Sequence, residues 1–450
     1  MTSAYKFLLL LLVLSTTAFA DTAHHTFIVR FKLTDSLKTF LRANEFDITG
    51  VNYRTGEIEA LMDEKGLRFL KTQRPDIIYT FPQNLALAPD LEYKNPQEIE
   101  EFVKDIHARF PNITKLAVIG KSLEGRNIWA VRITGEDARR AVKPVILVNA
   151  MHHAREVMTP EITTDMIGFL TANYGNNPEV TRWVDSTVIW VVPMFNVDGN
   201  NRMWNSDPMW RKNTRGGYGV DINRNYPAFW NTCKGSSSWT FGQDYRGPAP
   251  ASEPETQAMM NLVSQIKPVF NISYHSYSEI VIYPFGCKPN RTPTTEAVET
   301  IGREIGQKLN YKPGTAWELL YNVDGGDIDW MYTAHQVIPY VIEVNSTNEG
   351  FHPNYRQWRD KTVQRNRAGW MHLLNKLQGP SLQGRVNPRM YSNIKITRAG
   401  DKSVVQDYKI NPDGSYFIIL NPGKYDFVFE GQKNTKFSNQ SISSKKLLTL

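Results

Sequence analysis

Four apolar runs constrain this chain more than any other feature: "VILVNA" (145–150), "TVIWVVPMF" (187–195), "FNISYH" (270–275) and "YVIEV" (340–344). Short and rich in β-branched residues, they read as strands buried on both faces. Helical signals alternate with them, the clearest beginning at Thr159-Pro160 and burying Ile162, Met166, Phe169 and Leu170. The pattern predicts an α/β unit, a mixed and mostly parallel sheet flanked by helices. Open sheets of this kind carry their chemistry beyond the carboxyl ends of the strands. The polar residues that end each run are therefore the first candidates for function.

The chain's 450 residues leave room for more than that unit. Residues 1–20, "MTSAYKFLLLLLVLSTTAFA", read as a signal peptide with cleavage after Ala20, which predicts a secreted or periplasmic protein. No later stretch is apolar for long enough to serve as a transmembrane anchor. From residue 25 to about 88 the signals run βαββαβ, the plan of a small ferredoxin-like α+β module, and a linker with Pro82, Pro89 and Pro96 follows. A helix then starts at Asn95-Pro96 with Ile99, Phe102, Val103, Ile106 and Phe110 on one face, and a hairpin comes after it. Beyond residue 380 short strands joined by "NPDG" and "NPG" predict a small β-sandwich. The expected boundaries are 1–20, 21–90, 91–379 and 380–450.

A net charge of +7 arises from 52 basic and 45 acidic residues that are interspersed along the chain. A nucleic-acid partner, which would call for a basic tract or face, is not expected; the surplus serves solubility and attraction to acidic polymers. Cys233 and Cys287 are compatible with a disulfide in an oxidising compartment and equally with two buried thiols. The protein is expected to be a monomer.

The first apolar run leads into "MHHAREVMTPE", with His152, His153 and Glu156. A hydrolytic zinc site needs three protein ligands and an open position for water, and imidazole with carboxylate is a suitable donor set. His275, at the end of "FNISYH", offers a third. Glu343, a carboxylate inside "YVIEV", is costly to bury unless it has a partner or a task. "MWRKNTR" holds Arg211, and "DINRNY" holds Asp221, Asn223 and Arg224. Alone these are a basic loop and a polar turn; beside a metal, guanidinium groups clamp a carboxylate or stabilise an oxyanion, and Asp orients an imidazole. His24-His25 has no strand context and reads as a solvated end.

On these residues the chain, from about 93 to 378, resembles the zinc metallocarboxypeptidases of the funnelin family, in the style of the pancreatic-type and thermostable bacterial enzymes. The family's His-x-x-Glu motif matches His153-Ala154-Arg155-Glu156, which selects His153 over His152. The resemblance implies one zinc ion per chain held by His153, Glu156 and His275, the last in "YHSYSE". It implies a grip on the substrate's terminal carboxylate by Asn223 and Arg224, polarisation of the scissile carbonyl by Arg211, and a mobile tyrosine at Tyr321 in "LLYNVDGGDIDW". Glu343 becomes the general base, Asp221 the carboxylate behind the first histidine, and Arg155 a subsite contact. Ile328 falls at the position that decides side-chain preference. With apolar Gly286, Ala316, Val323 and Val341 it favours aromatic or large aliphatic C-terminal residues, although a one-residue shift bringing in Asp327 or Asp324 would favour Lys or Arg.

The N-terminal module is similar to the family's prosegments, which implies a zymogen cut at Arg74, Lys94 or another linker site. The C-terminal sandwich resembles the transthyretin-like domain of the regulatory carboxypeptidases. The implied partners are peptides or proteins with a free C-terminus. Two alternatives share the scaffold, a cell-wall peptide amidase or carboxypeptidase and a basic-residue-specific enzyme. A third is a zinc-binding pseudoenzyme acting through its sandwich. The carboxylate clamp and Tyr321 speak against the amidase, and Glu343 against the pseudoenzyme.

Overall fold

The computed structural model describes residues 26–82, 87–135, 143–290, 292 and 295–448. The stretch read as a signal peptide, with its expected Ala20 site, and His24-His25 lie outside these residues, as do linker residues 83–86. The N-terminal module comprises β1 (Phe27–Lys32), α1 (Asp35–Ala43), β2 (Asp47–Asn52), β3 (Glu57–Met62), α2 (Glu64–Gln73) and β4 (Tyr79–Thr80). Thr34 and Asp63 start the two helices, each side chain accepting a backbone N–H of the first turn. The strands form an antiparallel sheet in the order β2-β3-β1-β4, the split βαβ plan expected from the sequence. Val29, Phe31, Leu37, Leu41, Ile58 and Leu70 make its core. The run "DIIYTF" pairs over only two residues, because it lies at the sheet's edge and Ile78 finds nothing to cover it (84% exposed).

The large unit opens with α3 (Pro96–Arg109), whose Asn95 and Glu98 form a reciprocal capping box. The hairpin β5 (Thr114–Lys121) and β6 (Asn127–Ile133) follows, then β7 (Val145–Ala150), α4 (Met158–Asn173), α5 (Pro178–Ser186), β8 (Val188–Val192) and α6 (Val197–Asn205). The remainder is α7 (Pro254–Ile266), β9 (Phe270–Ser276), β10 (Ile280–Tyr283), α8 (Thr295–Leu309), β11 (Lys312–Thr315), α9 (Ala316–Leu319), α10 (Asp327–His335), β12 (Ile338–Val344) and α11 (Tyr355–Lys376). Eight strands make one mixed sheet in the order β11-β10-β12-β9-β7-β8-β6-β5, with the four central strands parallel.

Ile146 and Val148 of β7 share a core with Ile162 and Met166 of α4 and Trp370 of α11. Leu147 between them faces Met259 of α7 and Trp330 of α10 on the other side. Helices on both faces are why the strands are continuously apolar rather than alternating. The strand expected over 187–195 stops at Val192, since Pro193 has no N–H to give to a ladder.

After α11 come β13 (Ser381–Arg385), β14 (Tyr391–Arg398), β15 (Val404–Lys409), β16 (Ser415–Ile419), β17 (Gly423–Gly431), β18 (Thr435–Ile442) and β19 (Lys445–Lys446). They form two sheets, β16-β13-β19 and β15-β14-β17-β18, that share a core of Leu382, Ile394, Ile396, Ile418, Phe427 and Phe429. Alternation along β16 turns Tyr416 and Ile418 into this sandwich and Phe417 and Ile419 onto the main core. Strand β18 was not anticipated, since "TKFSNQSI" carries too few apolar residues to show a period.

Cys233 and Cys287 are joined in a disulfide across a sequence separation of 54, so the paired alternative holds. Replacing both by Ser is expected to lower stability by about 4 kcal/mol on loop-closure entropy. Urea unfolding of the double variant beside the unaltered protein measures it.

Candidate active site

Strand β7 ends at Ala150, and Met151 adopts a φ of 64°, a left-handed conformation uncommon for a side-chain-bearing residue. The reversal delivers His153 and Glu156 to the strand's carboxyl end. Neighbouring β9 delivers His275. Strand β12 pairs with β9 in a register that sets Glu343 beside His275, so the two side chains rise on the same face. Asn345, with a φ of 60°, ends β12 in the way Met151 ends β7.

His153, Glu156 and His275 each offer a ligand atom within 4.8 Å of the others. His153 Nδ1 is 2.7 Å from Glu156 Oε1, His275 Nδ1 is 3.1 Å from Glu156 Oε2, and the two Nδ1 atoms are 3.1 Å apart. Glu156 Oε2 is buried without a hydrogen bond. Two imidazole nitrogens facing one another and a carboxylate make a cradle for a cation, and the donor set suits zinc. Burial raises the Glu156 carboxyl, but His153 and His275 more than reverse that and hold it far below its ordinary pKa.

Each imidazole is fixed from behind. His153 Nε2 lies 3.2 Å from Asp221 Oδ1, and His275 Nε2 lies 3.2 Å from Ser273 Oγ and 3.5 Å from Asn223 Nδ2. Asp221 also accepts from Arg211 Nη2 (2.8 Å), Arg211 Nε (3.2 Å) and the Asn223 N–H (2.9 Å). Burial opposes its charge, yet Arg211 and His153 leave it well below the ordinary carboxylate range. His152 belongs to a different layer, with Nδ1 3.3 Å from Ser273 Oγ and Nε2 3.2 Å from the Tyr226 hydroxyl.

The three groups open into a cavity that Arg211, Asn223, Arg224, Tyr321, Ile328 and Glu343 also line. Arg224 donates to the Gly235 and Asn223 carbonyls, and among the described residues no carboxylate lies within ion-pair distance of it. Burial and then the Glu156 carboxylate push Glu343 up to about 7. Gly286, Ala316, Val323 and Val341 line the cavity as well. A Cβ on Gly286 would sit 2.3 Å from the Val323 carbonyl oxygen, so the wall closes only around a glycine.

The neighbouring acids divide. Asp324 accepts the Cys233 and Gly235 N–H groups (3.0 and 3.1 Å) and the Ser236 hydroxyl, shaping the loop whose Gly235 carbonyl holds Arg224. It is therefore engaged outside the cavity. Asp327 and Asp329 do line it. Asp329 accepts the Gly286 N–H, and burial pushes it up to about 7. Asp327 Oδ1 accepts the Ile328 N–H; Oδ2 has no hydrogen bond and lies 3.9 Å from His152 Nε2.

Arg155, expected to make a subsite contact, does not line the cavity. It is fully buried in a bidentate pair with Asp47 of β2 (2.7 and 3.0 Å), its guanidinium 4.2 Å from the centre of the Phe351 ring. Ile48, Thr49 and Gly50 of the same strand reach the cavity. The Tyr277 hydroxyl lies 2.7 Å from both Glu59 Oε2, to which it donates, and Thr49 Oγ1, from which it accepts, and its ring packs so closely on Gly50 that a Cβ there would be 2.4 Å from Cε2. Arg42 pairs with Asp244 at 2.7 Å and stands 4.4 Å over the Tyr321 ring. The module's edge strand thus covers the cleft. Asp47 escaped the sequence reading because its partner is 108 positions away and no local pattern marks either residue.

A family model described as zinc carboxypeptidase matches residues 99–368. The chain belongs to the zinc carboxypeptidase family. Among relatives in that family, carboxypeptidase B2 of Rattus norvegicus is 29% identical over 57% of this chain and 64% of its own length. Mast cell carboxypeptidase A of Homo sapiens is 26% identical over 67% of this chain and 80% of its own length. The chain thus spans less than two thirds of carboxypeptidase B2. In fold it is similar to the carboxypeptidase A of Helicoverpa armigera, with a TM-score of 0.67 at 20% identity over 77% of this chain and 95% of that one.

Asp221 supports two neighbours at once, so Asp221→Asn is expected to weaken zinc retention roughly 10- to 100-fold. Competition with a chromophoric chelator measures it without reference to activity.

Proposed function

We propose that the chain is a secreted, zinc-dependent exopeptidase that releases single residues, large and apolar or aromatic, from the C-terminus of peptides. The observation that carries the reading is the meeting of the His153, Glu156 and His275 donors with Glu343, Arg211 and Arg224 at one apolar-walled cavity. Zinc, when bound, supplies a Lewis acid and a water made acidic enough to ionise near neutrality. Glu343, whose carboxyl burial raises above its ordinary value, accepts the proton of the attacking water and returns it to the leaving amine. Arg211, held straight by Asp221, directs its charge at the developing oxyanion. Arg224, with no carboxylate within ion-pair distance among the described residues, takes the substrate's terminal carboxylate beside Asn223. Tyr321 closes the mouth behind it. A site built for a charged terminus penalises chains that offer none.

The apolar lining around Ile328 supports the side-chain preference. A second reading, preference for Lys or Arg, draws on the unpartnered Oδ2 of Asp327. Secretion is supported by the leader-like residues 1–20 and by the disulfide. The N-terminal module acts as an inhibitory prosegment in this reading, with Asp47 occupying Arg155.

Blocked dipeptides ending in Phe, Leu, Lys or Arg, offered after the module has been removed and with or without chelator, test the proposal. Phe and Leu are expected to lead by roughly tenfold or more in kcat/KM. A lead for Lys or Arg selects the second reading, and no cleavage of any sinks both. Glu343→Gln is expected to lower kcat roughly 10³-fold while zinc content stays at one per chain.

The Asp47–Arg155 pair makes the closed form sensitive to acid. Burial raises the Asp47 carboxyl, but Arg155 more than reverses this and leaves it below its ordinary value. The stabilisation is therefore complete above about pH 4 and is lost as the pH falls below it. Glu59, raised by burial at the same interface, has the opposite sign and favours closure more as the pH falls. Breaking the pair by Asp47→Ala strands a buried charge at a cost of about 3 kcal/mol, so activity of the intact chain is expected to rise roughly a hundredfold at neutral pH. Initial rates on a short peptide, compared between the variant and the unaltered chain, measure the rise.

A further inference from the structure

Two histidines are consecutive in "MHHAREV", and the cation cradle uses only His153. His152 is fully buried, and a buried imidazole is costly unless both ring nitrogens are satisfied. Beside a cation site and away from water its ring is neutral, so one nitrogen donates and the other accepts. The neighbours decide which. At Nε2 stands the Tyr226 hydroxyl, 3.2 Å away, itself fully buried and with no other hydrogen-bond partner among the described residues. The hydroxyl therefore donates, Nε2 accepts, and the ring proton sits on Nδ1. Asp327 Oδ2, 3.9 Å from Nε2, is beyond hydrogen-bond reach.

The Nδ1 proton points at Ser273 Oγ, 3.3 Å away. A serine hydroxyl has one proton and two lone pairs to place. Its proton goes to Asn149 Oδ1 at 3.0 Å, the orientation of that amide being fixed by the bond from Asn149 Nδ2 to Asn271 Oδ1 (2.9 Å). His152 fills one lone pair, and the other faces His275 Nε2 at 3.2 Å. His275 turns Nδ1 toward the cradle, so Nε2 carries the ring proton when a cation takes Nδ1. Asn223 does not accept that proton. Its carbonyl oxygen is committed to the Asp327 N–H (3.0 Å), so the atom it presents to His275, 3.5 Å away, is Nδ2, a donor. Among the described residues Ser273 is thus the side-chain acceptor behind His275.

We propose that His152 is a positioning residue for the zinc donor His275, acting through Ser273, with Tyr226 setting its tautomer. The inference rests on the reading of His153, Glu156 and His275 as the zinc donors. His153 is backed by a carboxylate, Asp221, which accepts from any direction its oxygens face. His275 is backed by a hydroxyl, which rotates unless its other bonds are fixed. Drawing the proton to Asn149 and filling one lone pair from His152 leaves that rotor a single orientation, with an acceptor aimed at Nε2 and Nδ1 left bare for the metal. The two rings lie 21° from parallel with centroids 5.4 Å apart, which lets both N–H groups converge on one oxygen.

The test measures zinc retention by the full-length chain in competition with a chromophoric chelator, and thermal unfolding of the metal-free forms separates loss of fold from loss of zinc. The unaltered chain is expected to hold one zinc ion; retention of none overturns the donor reading, and this inference with it. His152→Leu is expected to weaken retention roughly tenfold, and Ser273→Ala by as much or more. His152→Asn places an amide N–H where Nδ1 stood and is expected to recover most of the loss. Combining His152→Leu with Ser273→Ala is expected to cost no more than Ser273→Ala alone, because His152 acts only through that hydroxyl. Equal retention by His152→Leu overturns the proposal, as do additive losses in the double variant or equal losses for His152→Leu and His152→Asn. Should His152→Leu fail to fold, Tyr226→Phe, which frees the tautomer, carries the decision: weakened retention is expected, and undiminished retention overturns the proposal.

Discussion

Two imidazole nitrogens 3.1 Å apart, both facing one buried carboxylate, are an arrangement this fold sustains only with positive charge among them. Everything around the cleft is consistent with that requirement. The donors are delivered by adjacent parallel strands, β7 and β9, whose carboxyl ends stand side by side because the strands share a register. Glu343 belongs to the next strand along and is level with His275. The parallel arrangement thus sets the distance between the proposed base and the donors before any side chain chooses a rotamer.

Asp221 is the hinge between the donors and the rest of the charge in the cleft. One oxygen steadies His153 and the other holds Arg211, so the orientation of an imidazole and that of a guanidinium are coupled through one carboxylate. Arg224 is held differently, by backbone carbonyls alone, and one of these sits on a loop that Asp324 shapes. The contrast has a physical meaning. An arginine already satisfied by a buried carboxylate has a fixed direction, while one held by neutral carbonyls keeps its charge for a ligand.

The N-terminal module solves two problems with one strand. An unpaired sheet edge invites aggregation unless something covers it, and an open apolar-walled cleft exposes a charged site to solvent. Strand β2 lays its edge over the cleft, with Gly50 giving way to the Tyr277 ring and Asp47 neutralising Arg155. The C-terminal sandwich meets the rest through Phe417 and Ile419 on the main core.

Much of this was legible in the residues alone, for reasons of period and spacing. Continuous apolar runs can only be strands covered twice, so the layered architecture followed from "VILVNA" and its three companions. His153 and Glu156 are three residues apart, and their pairing needs only one turn of backbone. Chain reversals and long-range partners were a different matter. That Asp324 turns to a loop while Asp327 lines the cavity, and that Arg155 is taken by Asp47, depend on atoms far apart in sequence. Composition and periodicity therefore determined the layers, and short motifs carried the donor types and the family resemblance, because these rest on local repetition and on residues close in the chain. Only the folded chain decided which carboxylate faces which cation, since burial and proximity across 68 or 108 positions belong to packing and leave no trace in the order of residues.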